Sequence, residues 1–131
     1  MTGKASESSD GDSRPVVLVV EDEFMVALDI QAMLKGNGYR VLEPASTVDA
    51  ALQLLAHEQP DLAVLDVNLH GQPVVPVAKR LRSLQIPFVL ASAYAKFDFE
   101  DSEVLEEVEN VGKPFTERQL IAAVGRLGAA G

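Results

Sequence analysis

The chain has no cysteine and no tryptophan, and only two histidines. Without thiols there is no disulfide scaffold, no thiolate metal site and no cysteine nucleophile. The absence fits a reducing compartment. His57 and His70 do not stand at metal-ligand spacing, which argues against zinc. No apolar run approaches the roughly 20 residues of a membrane span. The polar N-terminus lacks a signal-peptide core, so a cytoplasmic protein with no membrane partner is expected. Bases are also few: 11 against 20 acids, a formal charge of −9, with no basic footprint for nucleic acid.

What is present is a globular composition, with 47% hydrophobic residues in 131. That suffices for the core of one domain. Residues 1–14 are rich in Ser, Gly and Asp and read as a disordered tail. The domain is expected over 15–128. Between Asp98 and Glu109 stand seven carboxylates and no base. This run reads as a solvated face or, more sharply, as a partner surface.

Past Pro15, Val16–Val20 is a short β-branched apolar run, suited to a strand buried on both faces of a parallel sheet. Phe24–Lys35 follows a helical period and ends at Gly36-Asn37-Gly38. Those glycines follow a helix, which makes a phosphate-cradling loop a poor reading of them. Tyr39–Glu43 reads as a second strand. Ser46 or Thr47 would cap a helix to about His57. Leu62–Leu65 is a third strand, followed by Asp66 and a loop to Gly71. A helix over about Val74–Leu84, a strand Pro87–Ala91, a weakly helical Phe97–Val108 and a short strand near Val108–Val111 follow. Thr116 would cap a last helix through Leu127.

This alternation predicts βαβ units and an α/β, flavodoxin-like, doubly wound five-stranded parallel sheet in the order 2-1-3-4-5. About five helices are expected, the fourth short or irregular. Ligands of such sheets bind outside the carboxyl ends of the strands.

Those ends carry the chemistry. Glu21 and Asp22 follow the first strand, Asp66 the third, Ser92 the fourth and Lys113 the fifth. Each alone has a plain explanation, such as a helix N-terminus or a turn. Their conjunction at one sheet edge does not. Converging carboxylates at about 4 Å repel by on the order of 4 kcal/mol at an effective dielectric near 20. Such a site protonates or takes a cation. Oxygen-only ligands favour a hard ion such as Mg²⁺ with several waters. Asp66, flanked by the others, is the candidate nucleophile toward phosphorus. Lys113 and Ser92 would hold the phosphoryl oxygens.

VLVVEDE (Val17–Glu23), PDLAVLDVNLHG (Pro60–Gly71), FVLASAY (Phe88–Tyr94) and GKPF (Gly112–Phe115) together resemble the receiver domain of two-component response regulators, over about Val16–Leu127. The resemblance implies that Asp66 accepts phosphate from a histidine kinase or a histidine phosphotransfer protein. It implies Mg²⁺ among Glu21 (through water), Asp22, Asp66 and the backbone carbonyl of Asn68. It also implies that Ser92 and Lys113 contact the phosphoryl group, and that the Lys113–Pro114 bond is cis. IPFVLASAY and VGKPF are similar, more narrowly, to stand-alone alphaproteobacterial-type receivers with a Phe-Ala-Thr-Gly-like motif, matched in part by Leu90–Tyr94.

Two departures stand out. The position of the family's switch aromatic falls near Asn110, which leaves Ser92 and Tyr94 as switch candidates. The segment Phe97–Glu109 lacks an amphipathic helix and is read as a mobile element that could itself be the switch. Only Gly128–Gly131 follow the last helix, so a single-domain, monomeric signalling protein acting on an unknown downstream protein is expected.

Three other readings fit these residues less well. A small phosphatase would want a second Asp where Asn68 stands. An FMN carrier would want a Ser/Thr/Gly-rich loop after the first strand. A receiver that binds partners without phosphorylation sits badly with every chemical position being filled.

Overall fold

The computed structural model describes residues 13–94 and 97–130. The tail expected over residues 1–14 lies almost wholly outside them. Strand β1 (Val16–Val20) leads to helix α1 (Phe24–Lys35), β2 (Arg40–Val41), α2 (Val48–His57) and β3 (Leu62–Leu65). A hairpin, β4 (Asn68–Leu69) with β5 (Gln72–Pro73), precedes α3 (Val75–Ser83), β6 (Phe88–Leu90), a 3₁₀ turn (Ser102–Leu105) and α4 (Glu117–Ala130). No helix among the described residues is long and apolar enough to cross a membrane.

The main sheet is parallel, in the order β2-β1-β3-β6. Val20 pairs with Leu65, and Leu65 with Leu90, so the three central strands end level. Alternate residues of β1 face opposite sides. Leu18 and Val20 pack with Val48, Leu55, Val77 and Leu81 under α2 and α3. Val17 and Val19 pack with Ile30, Leu34, Leu120 and Val124 under α1 and α4. Both faces of the sheet are therefore covered, which is why its strands read as unbroken apolar runs.

Local signals hold where they are strong. Thr47 Oγ1 accepts from Ala50 N–H at 3.0 Å and caps α2. Thr116 and Gln119 form a reciprocal capping box at the start of α4, at 2.8 and 3.1 Å. The GNG stop works through its second glycine. Gly38 takes φ 93°, while Gly36 remains right-handed at φ −68°.

Three points of the expected fold take a definite form. First, no fifth strand forms over Val108–Val111; a single parallel bridge, Leu90 to Asn110, stands in its place. The sheet thus has four strands, with the expected order kept among them. Second, the described residues hold four α-helices, and the element expected as a short or irregular fourth helix is a 3₁₀ turn. Glu100, Glu103, Glu106 and Glu107 would stack like charges three and four apart on a fourth helix. Asp101 and Glu107 instead turn left-handed on either side of the turn, at φ 64° and 66°. The segment is tied to α3 by Lys79–Asp101 at 2.8 Å and by Arg82 Nη2 donating to Val104 O at 3.0 Å. Third, the loop after Asp66 is a two-residue hairpin. His70 and Gly71 at its tip have φ 53° and 84°, both left-handed, as a primed turn requires.

Candidate functional site

The site follows from register. Since Val20 pairs with Leu65, the next residues along, Glu21 and Asp66, lie side by side. Asp66 N–H donates to Val20 O at 2.8 Å, continuing the ladder one step past β3. Glu21 and Asp66 share the parity of Val19 and Val64, and so turn toward the α1 and α4 side. Lys113 enters from that side, in the loop before α4. Its bond to Pro114 is cis.

Glu21 Oε1 lies 2.8 Å from Lys113 Nζ, with Asp66 Oδ2 at 3.5 Å and Glu23 Oε1 at 3.3 Å from the same nitrogen. The Lys113–Glu21 contact is an ion pair without hydrogen-bond alignment, so Oε1 is a buried oxygen lacking a hydrogen-bond donor. Glu21 Oε2 accepts from Glu23 N–H at 3.0 Å. Asp66 Oδ1 accepts from Val67 N–H at 2.8 Å. Asp22 Oδ2 accepts from His70 N–H at 2.9 Å, with His70 Nδ1 at 3.5 Å. One oxygen from each of Glu21, Asp22 and Asp66 lies within 4.8 Å of the others.

Burial dominates the electrostatics. It pushes Glu21 up to about 7, against the downward pull of Lys113 and of the Glu23 N–H, while the Asp66 charge adds to the rise. Burial also raises Asp66, offset in part by Lys113. For Asp22, burial pushes upward but is outweighed by the His70 N–H and neighbouring hydrogen bonds, and its pKa is lowered. Burial alone would lower Lys113; the Glu21 and Asp66 carboxylates hold it above its usual range. Three carboxylates thus face one ammonium. The surplus negative charge and the undonated Glu21 oxygen fit a hard divalent cation.

Glu21, Asp22, Asp66 and Lys113 are therefore gathered at one edge of the sheet. Asp66 keeps 11% of its side chain exposed, so it is reachable from solvent. Ser92 is buried two residues beyond the β6 bridge to Leu65. Its hydroxyl accepts from Tyr94 N–H at 3.1 Å. Tyr94 itself is 63% exposed. Asn68 lies on β4, where its side chain accepts from Gly71 N–H at 2.8 Å. Its neighbour Val67 accepts from Val74 N–H. Since hydrogen-bonded and open pairs alternate in an antiparallel ladder, the Asn68 carbonyl is not spent on the hairpin.

Three residues with a part in the site were not among its expected members. Glu23 reaches Lys113, His70 holds Asp22, and Asn110 binds the Ser92 loop. Only Asn110 left a trace in the sequence, as a polar residue where the resemblance calls for an aromatic.

A family model described as "Response regulator receiver domain" matches residues 17–125. The transcriptional regulatory protein PdtaR of Mycobacterium tuberculosis is 28% identical over 131 aligned residues, which cover 95% of this chain and 61% of that protein. The chain thus spans about three fifths of that relative's length. Sporulation initiation phosphotransferase F of Bacillus subtilis is 26% identical, over 76% of this chain and 82% of that protein. Among solved structures, response regulator TrrA of Thermotoga maritima in complex with Mg(2+)-BeF superimposes with a TM-score of 0.73 at 26% identity, covering 86% of this chain and 98% of that one. With its sheet, its acidic edge and its lysine loop in place, the chain belongs to the response regulator receiver family of two-component signalling.

Proposed function

We propose that the chain is a single-domain response regulator whose Asp66 accepts a phosphoryl group from a histidine kinase or a histidine phosphotransfer protein. The observation that carries this reading is that Asp66 lies 3.5 Å from Lys113 Nζ, with one of its oxygens within 4.8 Å of oxygens of Glu21 and Asp22, at a solvent-reachable sheet edge. An Asp66 carboxylate oxygen forms the new bond to phosphorus. The phosphorus–nitrogen bond of the donor phosphohistidine breaks, and the imidazole leaves with that electron pair. Lys113 offsets charge on one phosphoryl oxygen, and the Ser92 hydroxyl donates to another.

Glu21, Asp22, Asp66 and the Asn68 carbonyl would hold Mg²⁺, which when bound neutralises phosphoryl charge. The undonated Glu21 oxygen and the close approach of three carboxylates support that ligand set. Beside the pocket, α1 exposes Phe24 and Met25, at 72% and 68%, a surface suited to a docking phosphodonor.

In this reading the unit is residues 15–128, preceded by a tail over 1–14. It catalyses only its own phosphorylation and dephosphorylation. It works in the cytoplasm as a monomer, on a downstream protein rather than on nucleic acid or membrane, with Ser92 and Tyr94 relaying the change. Incubation with acetyl phosphate and Mg²⁺, followed by intact mass and peptide mapping, tests it. One phosphoryl group should appear on the Asp66 peptide and be absent in Asp66→Asn. Stoichiometric label in that variant would place the nucleophile elsewhere.

A further inference from the structure

The bridge at Asn110 has regular hydrogen bonds on both sides. Leu90 N–H donates to Glu109 O at 2.8 Å, and Val111 N–H donates to Leu90 O at 2.9 Å. The next rung of a parallel ladder would run from Ser92 N–H to the carbonyl of Val111. A side chain takes that rung instead. Ser92 N–H donates to Asn110 Oδ1 at 3.0 Å. The same oxygen accepts from Gly112 N–H at 2.9 Å, closing an Asx turn in which Gly112 sits at φ 84°. Asn110 Nδ2 donates to Tyr94 O at 2.9 Å. The amide orientation is set by its partners: turned over, it would aim a donor at two N–H groups.

We propose that Asn110 is a positioning residue for phosphoryl transfer, its amide joining the loop that carries Ser92 to the loop that carries Lys113. The proposal rests on the reading of Asp66 as phosphoacceptor. The hydroxyl and the ammonium come from different strand ends and make no common backbone ladder past Leu90. Through Asn110 they are held as one unit, so both phosphoryl contacts are in place when the donor arrives. An apolar or aromatic side chain at this position could not supply two accepted bonds and one donated bond. None of the three bonds reaches Glu21, Asp22 or Asp66, which separates this role from cation binding.

The test labels the full chain, Asn110→Ala and Asn110→Asp with acetyl phosphate over a series of Mg²⁺ concentrations. In Asn110→Ala the maximal labelling rate should fall by about tenfold, within the roughly hundredfold that a 1 Å misplacement of a catalytic group can cost. The half-saturating Mg²⁺ concentration should stay put. Asn110→Asp keeps both accepted bonds but sets its second oxygen against the Tyr94 carbonyl, so its rate should fall between those of wild type and Asn110→Ala. Amide exchange should quicken at Ser92 and Gly112 in Asn110→Ala, and not at Val67 or His70. Should the alanine variant fail to fold, Asn110→Leu, close in shape but without polar atoms, takes its place. A loss confined to stability, with rate and exchange pattern as in wild type, overturns the proposal. So does an alanine or leucine variant labelled at the wild-type rate while the wild type labels at Asp66. A wild type that takes no label overturns the phosphoacceptor reading and this one with it.

Discussion

Lys113 Nζ lies closer to Glu21, at 2.8 Å, than to Asp66, at 3.5 Å. Without a divalent ion, the ammonium is the counter-charge of the most buried carboxylate. It remains near enough to Asp66 to serve a group attached there.

Added Mg²⁺ should stabilise the fold, since it relieves repulsion present only when the three carboxylates are brought together. For a site constant on the order of 1 mM, about 10 mM Mg²⁺ adds roughly 1.4 kcal/mol. That corresponds to a rise of about 5 °C in Tm for a chain of this size. A thermal melt reads it directly; an unchanged Tm would contradict the pocket.

Stability without metal should fall as pH rises from about 4.5 to above 7. Glu21 is raised to about 7 in the fold, and Asp66 is raised as well. In that window the native state holds protons that the unfolded chain has already lost. The favourable contribution is complete below the unfolded pKa and disappears as pH passes through the folded one. Urea unfolding at pH 5 and pH 8 measures the slope. Glu21→Gln should flatten it, and an unchanged slope in that variant would assign the effect elsewhere.

Lys113→Ala should be costly at pH 8 and cheap at pH 5. Removing the ammonium leaves the Glu21 carboxylate, 1% exposed, without its counter-charge. Stranding a buried charge costs about 3–5 kcal/mol, less where the lost partner is partly exposed, as Lys113 is. At pH 5 Glu21 is protonated and that penalty vanishes. Equal losses of stability at the two pH values would show that packing of the lysine stem, rather than charge, is what matters.

Thr47→Ala should cost about 1 kcal/mol by removing the cap of α2. Thr47 stands two residues past Ala45, whose carbonyl accepts from Glu21 N–H at 2.9 Å, but the cap bond itself goes to Ala50 N–H and to no carboxylate, so the Mg²⁺-induced gain in Tm should be the same as in wild type. A lost Mg²⁺ response would mean that α2 is coupled to the pocket.

The sequence by itself determined the alternation of apolar runs and helices, a cap at Ser46 or Thr47 and another at Thr116, and the residues standing at the strand ends. These are local properties: a side chain's period, its reach to a neighbouring N–H, and the residue that follows an apolar run. Only the tertiary structure decided that strand five shrinks to one bridge, that the loop after Asp66 is a hairpin, and that Glu23 and His70 join the site. The pairing of β1 with β3 sets Glu21 beside Asp66, 45 residues further along. The Asn110 amide replaces a ladder bond with contacts 16 and 18 residues away. Such contacts leave no periodicity in the chain, because the partners are chosen by register and by unsatisfied backbone groups that exist only once the sheet has formed.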